Sequence, residues 1–98
     1  MNSKKAYKIM KKAIKKYGVE KQLLICIEEL SELIQAITKM ERYPNDETRK
    51  NDLTEELTDV LICLDYLALI YEIDEAKIDE IWSKKLKRLK ERMKNEEN

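Results

Sequence analysis

QLLICIEELSELIQAI, residues 22–37, decides the fold. Its apolar residues recur at three- and four-residue intervals for about four turns, the period of a helix. A second stretch, LTEELTDVLICLDYLALI at 53–70, repeats the pattern. Each carries an acidic phrase among its apolar residues, EELSE at 28–32 and EELTD at 55–59. This is the one internal repeat in the chain, and it makes the two segments read as copies of one helix set side by side and antiparallel.

Working outward, KKAYKIMKKAIKKY at about 4–17 spaces Ala6, Ile9, Met10, Ala13, Ile14 and Tyr17 helically between lysines, and Gly18 supplies a stop. The second helix is expected over 19–40. ERYPNDETRK at 41–50 is the one clear break, with Pro44, Asn45 and Asp46 marking a turn. Asn51 or Asp52 is the expected cap of a third helix reaching about Tyr71, and Asp74 that of a fourth from about Glu75 to Lys94, ahead of a polar tail. One Gly, one Pro, no Phe and 41% charged residues suit long helices rather than a sheet. The reading is an all-α chain of four helices whose two long central antiparallel helices carry the acidic motifs. Ninety-eight residues make one domain, 1–98, with its core at about 19–92. So short a chain buries a modest fraction of its surface, and completion of the bundle by oligomerisation is expected.

The formal net charge of zero is spread in blocks. Residues 1–17 carry seven lysines and no acid, 18–80 carry 17 acids against 6 bases, and 81–98 carry 7 bases against 3 acids. Basic ends of this kind suit nucleic acid or anionic lipid, yet lysine-rich helix faces are commonly just solvated, and nucleic acid is not the expected partner. Cys26 and Cys63 lack CxxC spacing, and no His completes a zinc site, so both read as reduced core residues. Neither a secretory leader nor a membrane-spanning run is present, and a cytoplasmic protein is expected.

At about 100° per residue, Ile25, Leu33, Ala36 and Met40 fall within about 40° of Glu29, while Glu32 borders that face. On the other helix Val60, Cys63 and Leu67 surround Glu56 in the same way, with Asp59 at the border. Packed antiparallel, the two helices bring Glu29, Glu32, Glu56 and Asp59 into one pocket. Four carboxylates so placed repel one another strongly, so the cluster must be partly protonated, paired with Lys or Arg, or neutralised by a cation. With oxygen ligands alone, the cation favoured is Mg²⁺, and Mn²⁺ can substitute. Glu or Asp on a helix more often faces water, and ordinary salt bridges to the abundant lysines are the competing account.

EELSE and EELTD with their flanks resemble the EExxE...ExxD signature and the two central helices of the MazG-like, all-α nucleoside triphosphate pyrophosphohydrolases, over about residues 19–92. The resemblance implies that Glu29, Glu32, Glu56 and Asp59 hold Mg²⁺, with Glu28 supporting them or helping to orient water, although the helical projection points Glu28 toward solvent. A family stretch NxKFxR on the last helix is matched by SKKLKR at 83–88. Lys85 and Arg88 are retained there as phosphate-binding residues, Leu86 replaces the aromatic, and Ser83 replaces Asn. The implied reaction is Mg²⁺-dependent cleavage of a nucleoside triphosphate between its α and β phosphates to monophosphate and pyrophosphate. The implied assembly is a homodimer or homotetramer, which suits apolar residues such as Leu24, Ile62 and Leu69 outside the main sectors.

Two other readings compete. Phosphoribosyl-ATP pyrophosphohydrolase has a related acidic signature, but Ile27 before the acidic pair and TDVLICL at 58–64 fit it poorly. A non-catalytic helical oligomer that binds nucleic acid through its basic ends needs no acidic pocket at all. Tyr43, Tyr66, Tyr71 and Trp82 are available to stack on a base, though aromatics at helical spacing usually belong to the core.

Overall fold

Ser3 opens the first helix by accepting a hydrogen bond from the Ala6 N–H at 3.1 Å, and α1 then runs Lys4–Tyr17. The computed structural model describes residues 3–97. Gly18 both ends α1, donating its N–H to the Ile14 carbonyl at 2.8 Å, and starts α2 (Val19–Arg42). Its φ of 92° lies where a side chain would be strained, so one glycine turns the chain between two helices.

α2 continues two residues past the expected Met40. The larger difference is at the start of α3 (Glu47–Ile70), where Asp46, not Asn51 or Asp52, is the cap. Asp46 Oδ1 accepts from the Thr48 and Arg49 N–H groups at 2.9 and 3.3 Å, meeting two of the donors that a helix start leaves free. Asn51 and Asp52 therefore sit inside the helix, and the connection shrinks to residues 43–46, closed by the Asp46 N–H on the Tyr43 carbonyl at 3.2 Å. After α3, Glu72 adopts a left-handed φ of 51° and Asp74 caps α4 (Glu75–Glu96) through the Ala76 N–H at 2.9 Å. All four expected helices are present, and no strand occurs among the described residues. No helix among them is long and apolar enough to cross a membrane.

α2 and α3, 24 residues each, pack along their length as an antiparallel pair, and α1 lies against α2. The seam buries Gln22, Cys26, Ala36, Val60 and Cys63, with Met10 entering from α1. Both cysteines are free and buried, Cys26 Sγ lying 3.7 Å from the Cys63 carbonyl oxygen, and burial pushes the Cys63 thiol up to about 12.

The rest of the apolar surface is open. α2 leaves Leu24, Ile27, Leu30, Ile34 and Ile37 exposed along one stripe, and α3 leaves Leu57, Leu61 and Leu64 exposed. α4 buries no residue, and its stripe of Ile78, Trp82, Leu86, Leu89 and Met93 faces outward. Its start is tied to α1 by the Tyr7 hydroxyl, which donates to Glu75 Oε1 at 2.7 Å. The radius of gyration, 17.1 Å, compares with about 13 Å for a compact chain of this length, so the single chain is splayed rather than compact.

Candidate functional site

Because Glu29 and Glu56 sit among the apolar positions of the α2–α3 seam, folding carries their carboxylates inward. Both are half-buried, and each keeps one oxygen, Oε2, sealed from solvent with no hydrogen-bond partner. Unpartnered buried polar atoms are uncommon in folded proteins and call for a specific cause. Glu32, one turn beyond Glu29, is exposed and swings toward the same point. Glu29, Glu32 and Glu56 each offer an oxygen within 4.8 Å of the others.

Electrostatics follow this geometry. Desolvation first, then the charges of Glu32, Asp59 and Glu56, hold the Glu29 carboxyl above the usual carboxylate range, with a side-chain interaction with Asp59 adding to the effect. Glu56 is raised by desolvation, by its interaction with Glu32 and by the charges of Asp59 and Glu55. No lysine or arginine is ion-paired to Glu29, Glu32 or Glu56 among the described residues. The salt-bridge account of these acids therefore has no support in the geometry. The arrangement has what a hard divalent cation requires: converging carboxylate oxygens and unmet acceptor capacity at two of them.

Of the four residues expected to hold metal, three converge. Asp59, exposed on α3, is close enough to act on Glu29 but is not part of the 4.8 Å group. The aspartate side chain is one methylene shorter than glutamate, so from its border position it reaches less far inward. Glu28 is exposed and outside the group, as the helical projection has it. Lys85 and Arg88 are exposed on α4, which packs little on the α2–α3 pair, and the single chain does not bring them to the carboxylates.

A cleft of about 360 Å³ opens beside the acids, lined by Glu32, Gln35, Ala36 and Lys39 from α2 and by Arg49, Asp52, Glu55 and Glu56 from α3. Its two cations went unnoticed in the sequence. Lys39 projects with the solvated residues of α2, and Arg49 falls in a segment read as loop. Recognising Asp46 as the cap places Arg49 on α3, two turns before Glu56, and would have revealed it.

A family model described as the MazG nucleotide pyrophosphohydrolase domain matches residues 18–96, covering α2, α3 and α4 and leaving α1 outside. No curated protein and no solved structure gives a significant match.

Proposed function

The chain belongs to the MazG nucleotide pyrophosphohydrolase family, and from that premise we propose that it hydrolyses a nucleoside triphosphate, ribo or deoxyribo, to the monophosphate and pyrophosphate. The observation that carries this reading is the pair of sealed, unpartnered oxygens on Glu29 and Glu56 beside Glu32, next to a cleft that Glu32 and Glu56 line. Carboxylates with that much unmet acceptor capacity suit Mg²⁺, with Mn²⁺ as substitute, and Glu29, Glu32, Glu56 and Asp59 would hold it. When bound, the cation supplies charge neutralisation for phosphate oxygens and acidification of water.

The chain's own residues do the rest. Seam packing fixes Glu29 and Glu56, so the carboxylates are positioned before substrate arrives, and positioning is most of what phosphoryl transfer asks of a protein. Glu28, exposed on α2, would support the carboxylates or help to orient a water. A water oxygen bonds to the α phosphorus as that water gives up a proton to solvent, the bond to the bridging oxygen breaks, and pyrophosphate leaves. Lys85 and Arg88 would then stabilise the departing pyrophosphate.

Those two bases reach a site only through assembly, and the exposed apolar stripes support a homodimer or homotetramer. By helical projection Lys85 lies at the border of the α4 stripe and Arg88 about 120° from its centre, so docking that stripe carries Lys85 to the edge of the interface and leaves Arg88 outside it. The test is a product assay across canonical and modified nucleoside triphosphates, with and without Mg²⁺, that resolves pyrophosphate from orthophosphate. Metal-dependent monophosphate and pyrophosphate are expected. Orthophosphate as the product, or no turnover across the panel, refutes the reading.

A further inference from the structure

Two cations share the cleft with the carboxylates, and both stand at the same end. Lys39 follows Glu32 by seven residues on α2, and Arg49 precedes Glu56 by seven on α3. Because the helices are antiparallel, both steps lead toward the 43–46 connection, each by two turns or about 10 Å. The cleft thus has Glu32 and Glu56 at one end and Lys39 and Arg49 at the other, with Asp52 one turn from Arg49, over a distance suited to an extended polyphosphate.

The two cations are set differently from each other. Arg49 is held: its guanidinium lies 4.7 Å from the centre of the Tyr43 ring and its Nε 3.7 Å from Asp46 Oδ2. That contact with Asp46 is longer than a close ion pair, which leaves the terminal nitrogens of the fork for another acceptor. Lys39 is exposed and takes part in no ion pair among the described residues. By contrast, the lysines Lys77 and Lys84 on α4 are paired with Glu80.

Four acids and two bases line this cleft, so a divalent cation at the carboxylates balances the lining. An incoming polyphosphate then meets Lys39 and Arg49 as the fixed positive charges of its far end. Tyr43, with Arg49 over its ring, is not free on that face to stack on a base.

We propose that Lys39 and Arg49 bind the β and γ phosphates of the substrate from within one chain, with any contact from Lys85 and Arg88 to the same phosphates added by assembly, so that the triphosphate runs from the carboxylates toward the α2–α3 connection with its base at the opposite end. The inference rests on the pyrophosphohydrolase reading for its substrate. It makes these residues triphosphate selectors: a monophosphate cannot reach them, and a diphosphate reaches them in part.

The experiment compares Lys39→Ala, Arg49→Ala and Arg49→Lys with wild type in two assays: steady-state kinetics on the preferred triphosphate, and calorimetric binding of inorganic tripolyphosphate with Mg²⁺. Each alanine variant is expected to raise KM and the tripolyphosphate Kd together by about tenfold, the loss of one charge-assisted hydrogen bond. The turnover number of each alanine variant should fall as well, because the β and γ phosphates are the departing pyrophosphate, while the melting temperature of Lys39→Ala should stay near wild type and Arg49→Lys should recover part of the loss. Unchanged KM and unchanged tripolyphosphate affinity in both alanine variants overturn the assignment while leaving the pyrophosphohydrolase reading intact. A wild type silent on every triphosphate removes that reading instead. In that case, tripolyphosphate binding that still weakens in the variants sustains the anion site, and binding that does not weaken overturns it.

Discussion

Ile34 is 66% exposed in the middle of the α2 stripe, on the side of the helix away from Glu29, and its replacement by Glu tests the proposed assembly directly. Fully burying an isoleucine side chain is worth about 1.5–3 kcal/mol. Two-thirds of that remains to be gained at this position, or about 1–2 kcal/mol per chain. In a two-fold dimer the residue counts twice, giving about 2–4 kcal/mol, which corresponds to a dissociation constant weakened by roughly thirty-fold to several hundred-fold. The introduced charge adds to this, because a carboxylate has no partner in an apolar interface. Sedimentation velocity across a protein dilution series reads the effect. Wild type should stay associated and melt at a temperature that rises with concentration, while Ile34→Glu dissociates and melts lower. Ile34→Ala, which keeps the helix and removes only apolar surface, should fall between them. If wild type sediments as a monomer throughout, or Ile34→Glu matches wild type in both mass and melting temperature, the stripe is not an interface.

Four further outcomes follow from the geometry. Glu56→Gln should lose turnover while keeping its helical circular dichroism, with a metal-free melting temperature equal to or above wild type, since it removes like-charge repulsion; full activity in this variant would show the site is misplaced. Mg²⁺ at a hundred times its Kd should stabilise wild type by about 2.7 kcal/mol. That is roughly 10–20 °C for a domain of this size, and calorimetry should find the shift much smaller in Glu29→Gln. Glu29 and Glu56 have folded-state values above the ordinary 4.5, so their contribution to stability is full below that pH and is lost as pH rises through the raised values. Metal-free protein should therefore melt progressively lower from acid toward neutral pH, and saturating Mg²⁺ should flatten that trend. Asp46→Ala removes the acceptor for two N–H groups and should cost about 1 kcal/mol, read as a lower denaturation midpoint without loss of helix count.

The parts of this molecule legible in the sequence are those fixed by local chemistry. Gly18 had to break the chain because a positive φ suits little else, and the inward direction of Glu29 and Glu56 followed from periodicity alone. The start of α3 was not legible for a reason of the same kind. Asp46, Asn51 and Asp52 are all competent caps by side-chain chemistry, and the local sequence gives no reason to prefer one. The choice is consistent with the pairing of the two helices. Starting at Glu47 makes α3 as long as α2, so every turn of one has a turn of the other beside it, and Arg49 comes to line the same cleft as Lys39. A start after Asn51 would leave the end of α2 unpaired and the cleft without its second cation. Helix length, seam and cationic end are thus one decision, made by long-range packing rather than by the cap.

The same reasoning separates Glu32 from Asp59. Periodicity gave them equivalent border positions on equivalent helices, and both are exposed, yet only the glutamate oxygen joins the group within 4.8 Å. The group is therefore asymmetric: two carboxylates from α2 and one from α3 converge, with Asp59 beside Glu29 but outside it. The repeat of EELSE as EELTD is therefore not redundant. The two phrases differ at Ser31 against Thr58 and at Glu32 against Asp59, and only the second difference changes which carboxylate oxygens meet.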